Sequence, residues 1–129
     1  MIDWTREKVK EVPVIKITPP GPKSLEIHSR ASKYMKGYSS QVRLFPVVFE
    51  RGWGYTLTDV DGNIYLDFSS GIYVTGCGHS HPKITKEIQD MVGTLMNCHD
   101  FTTSVKAHLL EKLVEILPGD LNGVQFYSD

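Results

Sequence analysis

The chain has 129 residues, of which 14 are basic and 15 acidic, giving a net charge of −1. That length suits one domain with a hydrophobic core, and the balanced charge excludes the basic field that nucleic acid or an anionic membrane would attract. No apolar run approaches the about 18 residues that span a bilayer; the first twelve residues mix acids and bases, unlike a signal peptide; and two cysteines, Cys77 and Cys98, are too few for a disulfide framework, which makes a reducing cytoplasm the default.

Ile2, Trp4 and Val9 predict a short amphipathic helix over residues 1–11. Residues 12–22 carry Pro13, Pro19, Pro20 and Pro22, and read as a non-helical, extended arm laid over a partner surface or disordered. Ser24 is a fair N-cap for a helix over 24–35, with Leu25, His28, Ala31, Ser32 and Met35 on one face and Gly37 as its stop. Residues 38–46 read as a link. Three short strands follow, over 47–50, 54–58 and 64–67. Tyr55 and Leu57, then Ile64, Leu66 and Phe68, alternate with polar neighbours around the turn residues Asp61, Gly62 and Asn63, so this is a small antiparallel meander.

After the meander come Ser69, Ser70, Gly71, Gly76 and Gly78, then His79-Ser80-His81-Pro82. Glycines let another group approach the backbone closely, and a glycine-rich link before a helix is a plausible ligand wall. Pro82 suits the first turn of a helix, and Ile84, Ile88, Met91 and Leu95 share one helical face. Residues 97–103 form a loop. A second helix is predicted over 104–117, with Leu109, Leu110, Leu113, Ile116 and Leu117 as its stripe and Pro118-Gly119 as its stop. From Gly123 the sequence reads as a buried strand, which would be the start of an α/β unit.

The stretch DVDGNIYLDFSSGIYVTGCGHSHPKI, residues 59–84, resembles the N-terminal signature of the class III aminotransferases, which are pyridoxal-phosphate enzymes of fold type I. The resemblance begins near Phe45-Pro46, passes through Glu50-Arg51-Gly52, and resumes at Leu117-Pro118-Gly119 and Val124-Gln125-Phe126. Its most specific part is G-x-x-Y-L-D-F followed by G-H-x-H-P. It implies an α/β segment in two parts: residues 1–67 as arm, helix and meander of the small domain, and residues 68–129 as the start of the large cofactor-binding domain. It also implies transfer of an amino group from an amino acid or ω-amine to a 2-oxo acid through pyridoxal phosphate, in a homodimer. Racemisation or amino-group migration by the same family is an alternative.

Among site residues, the resemblance transfers a substrate-side wall. Ile72 matches the position that lines the family's substrate pocket, and Ser70, Gly71 and Tyr73 adjoin it. A core role for Ile72 competes with this. No residue matches the Schiff-base lysine or the phosphate cup. The family's phosphate turn would follow the strand that starts at Gly123, so the 129-residue chain by itself is expected to be inactive and to be found with a partner chain or the rest of the enzyme.

Other readings compete. Cys77, His79 and His81 alternate, with Cys98 and His99 further on, and thiolate and imidazole suit zinc. The favoured reading is that His79 and His81 satisfy backbone or helix-terminus hydrogen bonds. Residues 76–81 are not G-x-G-x-x-G, because a histidine stands at the third glycine. Lys83, Lys86 and Lys106 read as solvated helical lysines. A non-catalytic interaction module is the alternative outside enzymes.

Overall fold

The computed structural model describes residues 11–127. The chain groups into two compact units, Met1–Lys86 and Glu87–Asp129. The helix expected over 1–11 lies outside the described residues, apart from Glu11.

In the first unit, helix α1 spans Pro22–Ser32. It starts before the expected Ser24, because Pro22 occupies the first turn, where its missing N–H costs nothing. The arm's last proline is therefore helical. The N-cap is Gly21, which provides no side-chain cap. Asp61 supplies one from the meander turn: its Oδ1 accepts from the Lys23 N–H and its Oδ2 from the Ser24 N–H, both at 2.9 Å. Ser24 is fully buried, and its Oγ accepts from the Val48 N–H at 3.3 Å. The predicted cap thus ties the helix to the chain entering the sheet. The expected link over 38–46 contains a short helix, α2 (Ser40–Leu44), capped by Ser39, whose Oγ accepts from the Val42 N–H.

The meander is present with shifted boundaries: β1 (Phe49–Trp53), β2 (Thr56–Asp59) and β3 (Ile64–Leu66), antiparallel in that order. Register runs Gly52↔Leu57 and Trp53↔Thr56 in the first pair and Leu57↔Tyr65 in the second, with an irregularity between Phe49 and Arg51. The turn from β2 to β3 has Gly62 at φ 86°, a conformation open to glycine and costly for other residues.

That turn organises the unit. Asp59 is 1% exposed and Asn63 fully buried. Asp59 Oδ1 accepts from the N–H groups of Asp61 and Asn63; its Oδ2 accepts from Asn63 Nδ2 at 2.8 Å and from the Tyr65 hydroxyl at 2.7 Å. Asn63 Oδ1 accepts from the N–H groups of Lys16 and Ile17, at 2.7 and 2.9 Å. Val14 exchanges two backbone hydrogen bonds with Ile64. The proline-rich arm, expected on a partner surface or disordered, is instead paired to β3 of its own sheet. Tyr65 also meets Phe45 and Phe49 edge-on, with ring centroids 6.4 and 5.6 Å apart.

The expected hydrophobic core is absent from the described residues: none of their apolar side chains is buried, while Ser24, Thr56, Asp59 and Asn63 are. Hydrogen bonds rather than apolar burial hold the centre of this unit. Helix α4 (Pro82–Val92) follows a single turn, α3 (Ser70–Tyr73), and in the second unit α5 spans Ser104–Ile116. Leu95, expected on the face of the helix after Pro82, lies beyond its end. Thr103 caps α5, its Oγ1 accepting from the Lys106 N–H at 3.1 Å. The expected strand from Gly123 does not form: residues 121–127 have no regular structure, and Phe126 and Tyr127 are exposed. A strand needs neighbours for its N–H and C=O groups, and no strand of the described residues pairs with this segment.

Candidate functional site

The signature residues fold into a loop built on one carboxylate. Asp67 leaves β3 with its N–H bonded to the Tyr55 carbonyl at 2.9 Å. Its Oδ1 accepts from the N–H groups of Ser69 and Ser70, at 3.0 and 2.9 Å, and from Ser69 Oγ at 3.0 Å. Aspartate commonly folds back on the following N–H groups in this way. Its Oδ2 meets His79 Nε2 at 2.7 Å. The His79 bond holds the Asp67 carboxyl below the ordinary carboxylate range; burial opposes this, and the bonds from Ser69 and Ser70 reinforce it.

The clamp encloses an unusual turn. Ser70, Gly71, Ile72 and Tyr73 all have positive φ, at 50°, 61°, 62° and 66°. Left-handed backbone costs about 1–2 kcal/mol for each non-glycine residue, and three of these four are not glycine. Bonds to a charged acceptor contribute about 1.5–3 kcal/mol each, so the Asp67 contacts are of the size needed to offset that strain. The Ser70 carbonyl accepts from the Val74 and Thr75 N–H groups and from Thr75 Oγ1 at 2.8 Å. Strain of this kind concentrates at functional sites.

The far side is fixed to the sheet. His79 and Gly54 exchange backbone bonds, His79 N–H to Gly54 O at 2.7 Å and Gly54 N–H to His79 O at 2.9 Å. Two glycines make this approach possible: a Cβ on Gly78 would stand 3.1 Å from the Gly54 oxygen, and one on Gly52 would stand 2.8 Å from His79 Cβ and Cγ. Between the turn and the sheet lies a cleft of about 430 Å³, lined by Trp53, Tyr55, Asp67, Ser70, Thr75 and His79. A second cleft, of about 600 Å³, is lined by Lys16, Glu50, Arg51 and Ser80 among others. It mixes both signs of charge and holds none of Ser70, Gly71, Ile72 or Tyr73, so the first cleft is the candidate site.

Of the four residues named from sequence, Ser70 lines the cleft. Gly71 supplies a left-handed position, and Ile72 and Tyr73 are 77% and 90% exposed. The roles of Asp67 and His79 were not read from sequence. Asp67 opens the run Asp-Phe-Ser-Ser-Gly, a pattern that could have signalled a side-chain-capped turn. The favoured reading of His79 is half right: its backbone is satisfied by Gly54, but its ring bonds a carboxylate rather than the main chain. Cys77 is exposed, and no group of three or more His, Cys, Asp or Glu among the described residues could hold a metal ion.

The family model described as Aminotransferase class-III matches residues 37–128. The chain belongs to the class III aminotransferases. Alanine/serine racemase of Pyrococcus horikoshii is 37% identical over 118 residues, covering 90% of this chain and 25% of that protein. Mitochondrial acetylornithine aminotransferase of Debaryomyces hansenii is 48% identical over 69 residues, 53% of this chain and 15% of that protein. Among solved structures, acetylornithine aminotransferase from Elizabethkingia anophelis superposes with a TM-score of 0.64 at 29% identity, covering 73% of this chain and 23% of that one. The fold is that of the fold type I aminotransferases, and this class III chain spans a quarter or less of the length of these relatives.

The class III aminotransferases depend on pyridoxal phosphate, and one matching structure is a transaminase with that cofactor bound. The candidate cleft does not by itself fit the cofactor. No lysine lines it, and its one carboxylate, Asp67, is already held within the chain, Oδ1 by the Ser69 and Ser70 N–H groups and Oδ2 by His79.

Proposed function

We propose that this chain contributes the substrate-side wall of a pyridoxal-phosphate aminotransferase, which moves an amino group from an amino acid or ω-amine to a 2-oxo acid. The observation that carries this reading is the clamped left-handed turn over Ser70–Tyr73, coinciding with the signature residues of the matched family. The cofactor serves as an electron sink for the substrate carbanion. Residues of the complete enzyme outside this chain would hold it, and we assign no step on it to the residues described.

On this reading Ile72 faces the substrate side chain, with Ser70, Gly71 and Tyr73 forming the rest of the wall. Residues 1–67 belong to the small domain and 68–129 open the large one. The high exposure of Ile72 and Tyr73 supports a surface that meets something beyond this chain, either substrate or a second subunit of a homodimer. Two unpaired cysteines favour a cytoplasmic setting. Among the described residues no helix is long and apolar enough to cross a membrane.

The test is Ile72→Tyr in the complete enzyme, with kcat/KM measured for a short and a long amino donor. The ratio of the two should change while cofactor retention does not. A constant ratio would return Ile72 to a packing role. A second reading, racemisation, is favoured by the long match to the alanine/serine racemase. Incubation with a single L-amino acid separates the two: a racemase forms the D-enantiomer without a 2-oxo acid, whereas an aminotransferase turns over only when one is supplied.

A further inference from the structure

We propose that Asp67 and His79 are positioning residues: together they hold the turn Ser70–Tyr73 in the left-handed shape that sets the wall's preference among amino donors. This rests on the reading of that turn as substrate wall and adds the groups that would control it.

The turn's own bonds close its far end, where the Ser70 carbonyl accepts from the Val74 and Thr75 N–H groups, but they leave its start to be fixed from outside. Its three non-glycine residues, Ser70, Ile72 and Tyr73, occupy backbone angles that side chains disfavour, and such angles persist only where surrounding structure over-determines them. Here the surrounding structure is a short chain of bonds. His79 is fixed to the sheet by its two backbone bonds with Gly54. Its ring fixes one oxygen of Asp67 at 2.7 Å, and the other oxygen takes the N–H groups of Ser69 and Ser70. The Asp67 side chain is 5% exposed and that of His79 21%, so water competes little for the inner link. A carboxylate only accepts, so the His79 proton sits on Nε2. Rotation or loss of that donor would free Asp67 to turn, and the Ser69 and Ser70 bonds with it. The wall residue Ile72 lies two positions further on.

The geometry gives a test that plain packing would fail. Glutamine places its amide near the position of histidine Nε2, whereas asparagine places it near Nδ1. In the complete enzyme, His79→Asn should change the short-to-long donor ratio of kcat/KM by about tenfold, a modest share of what a misplaced group can cost. His79→Gln should restore the ratio to within about twofold of the parent, because it keeps the donor to Asp67. Ile72→Tyr is run beside them, and melting temperatures report folding.

If His79→Asn does not fold, Gly52→Ala replaces it. The added methyl would crowd His79 Cβ and Cγ at 2.8 Å without touching the turn, and the donor ratio should again shift. An unchanged ratio in the folded replacement overturns the proposal. Equal shifts in the Asn and Gln variants also overturn it, since ring shape rather than the Nε2 donor would then be responsible. A ratio that moves with Ile72→Tyr but not with the His79 variants overturns the proposal and leaves the wall reading standing. If Ile72→Tyr moves nothing, the wall reading fails and the proposal with it.

Discussion

Replacing Asn63 by alanine tests whether the polar hub organises the first unit. The substitution removes three hydrogen bonds at once: Nδ2 to Asp59 Oδ2 at 2.8 Å, and the two that Oδ1 accepts from Lys16 and Ile17 at 2.7 and 2.9 Å. The bond to the Asp59 carboxylate is worth about 1.5–3 kcal/mol and each backbone bond about 1 kcal/mol. Lys16 and Ile17 are exposed, so water can replace the lost acceptor at their N–H groups, and their share is discounted to a few tenths. Asn63 is fully buried, and alanine leaves a void beside Asp59 that adds to the loss. The net destabilisation should be about 2–3 kcal/mol. Urea denaturation of the complete enzyme measures it, and amide exchange at Lys16 and Ile17 measures release of the arm. Asn63→Asp is the control: it keeps the acceptor for the arm but sets a second carboxylate against Asp59. Its penalty should shrink as pH falls and one carboxyl takes a proton. Unchanged exchange at Lys16 and Ile17 in Asn63→Ala, with a stability loss under about 0.5 kcal/mol, would show that the arm does not depend on the hub.

Gly62→Val should cost about 1 kcal/mol or more, because Gly62 sits at φ 86°; an unchanged melting temperature would count against the turn. At Asp59 burial pushes the carboxyl up, but the bonds from Tyr65, Asn63 and two backbone N–H groups outweigh it and hold it below its ordinary value of 3.8. Asp67 is also lowered. Both carboxylates therefore stabilise the fold above that value and lose their effect as pH falls through the folded values. Urea midpoints should fall below pH 3.8, with a shallower slope in Asp59→Asn. Burial and the Asp59 bond push the Tyr65 hydroxyl up to about 12, so one tyrosine should ionise late in an absorbance titration, and Tyr65→Phe should abolish that step. Alone in solution, the 129-residue chain should self-associate, since Phe68, Tyr73 and Val74 are 89%, 90% and 82% exposed; a sharp monomer of 14.5 kDa in size exclusion would refute this.

Local signals in the sequence were enough for the meander, for the two longer helices after Pro82 and Thr103, and for membership in the family. Alternation, turn glycines, prolines and a contiguous signature are all properties of neighbouring residues. Boundaries moved where a partner distant in sequence decided them. Helix α1 begins at Pro22 because Asp61, 38 residues away from Lys23, caps it. The proline arm is non-helical up to Gly21 as expected, but its place beside β3 depends on the Asn63 amide and the Ile64 backbone. The strand expected at Gly123 shows the same limit: an apolar run allows a strand, but only neighbouring strands supply its hydrogen bonds. At the candidate site, the family resemblance marked Ser70, Gly71, Ile72 and Tyr73, whereas the left-handed turn and its clamp depend on the approach of His79 to Asp67 across 12 residues. The sequence by itself therefore determined the local elements and the family. Tertiary structure alone decided which buried polar groups satisfy one another, because a hydrogen bond between distant residues exists only once the chain has brought them within about 3 Å.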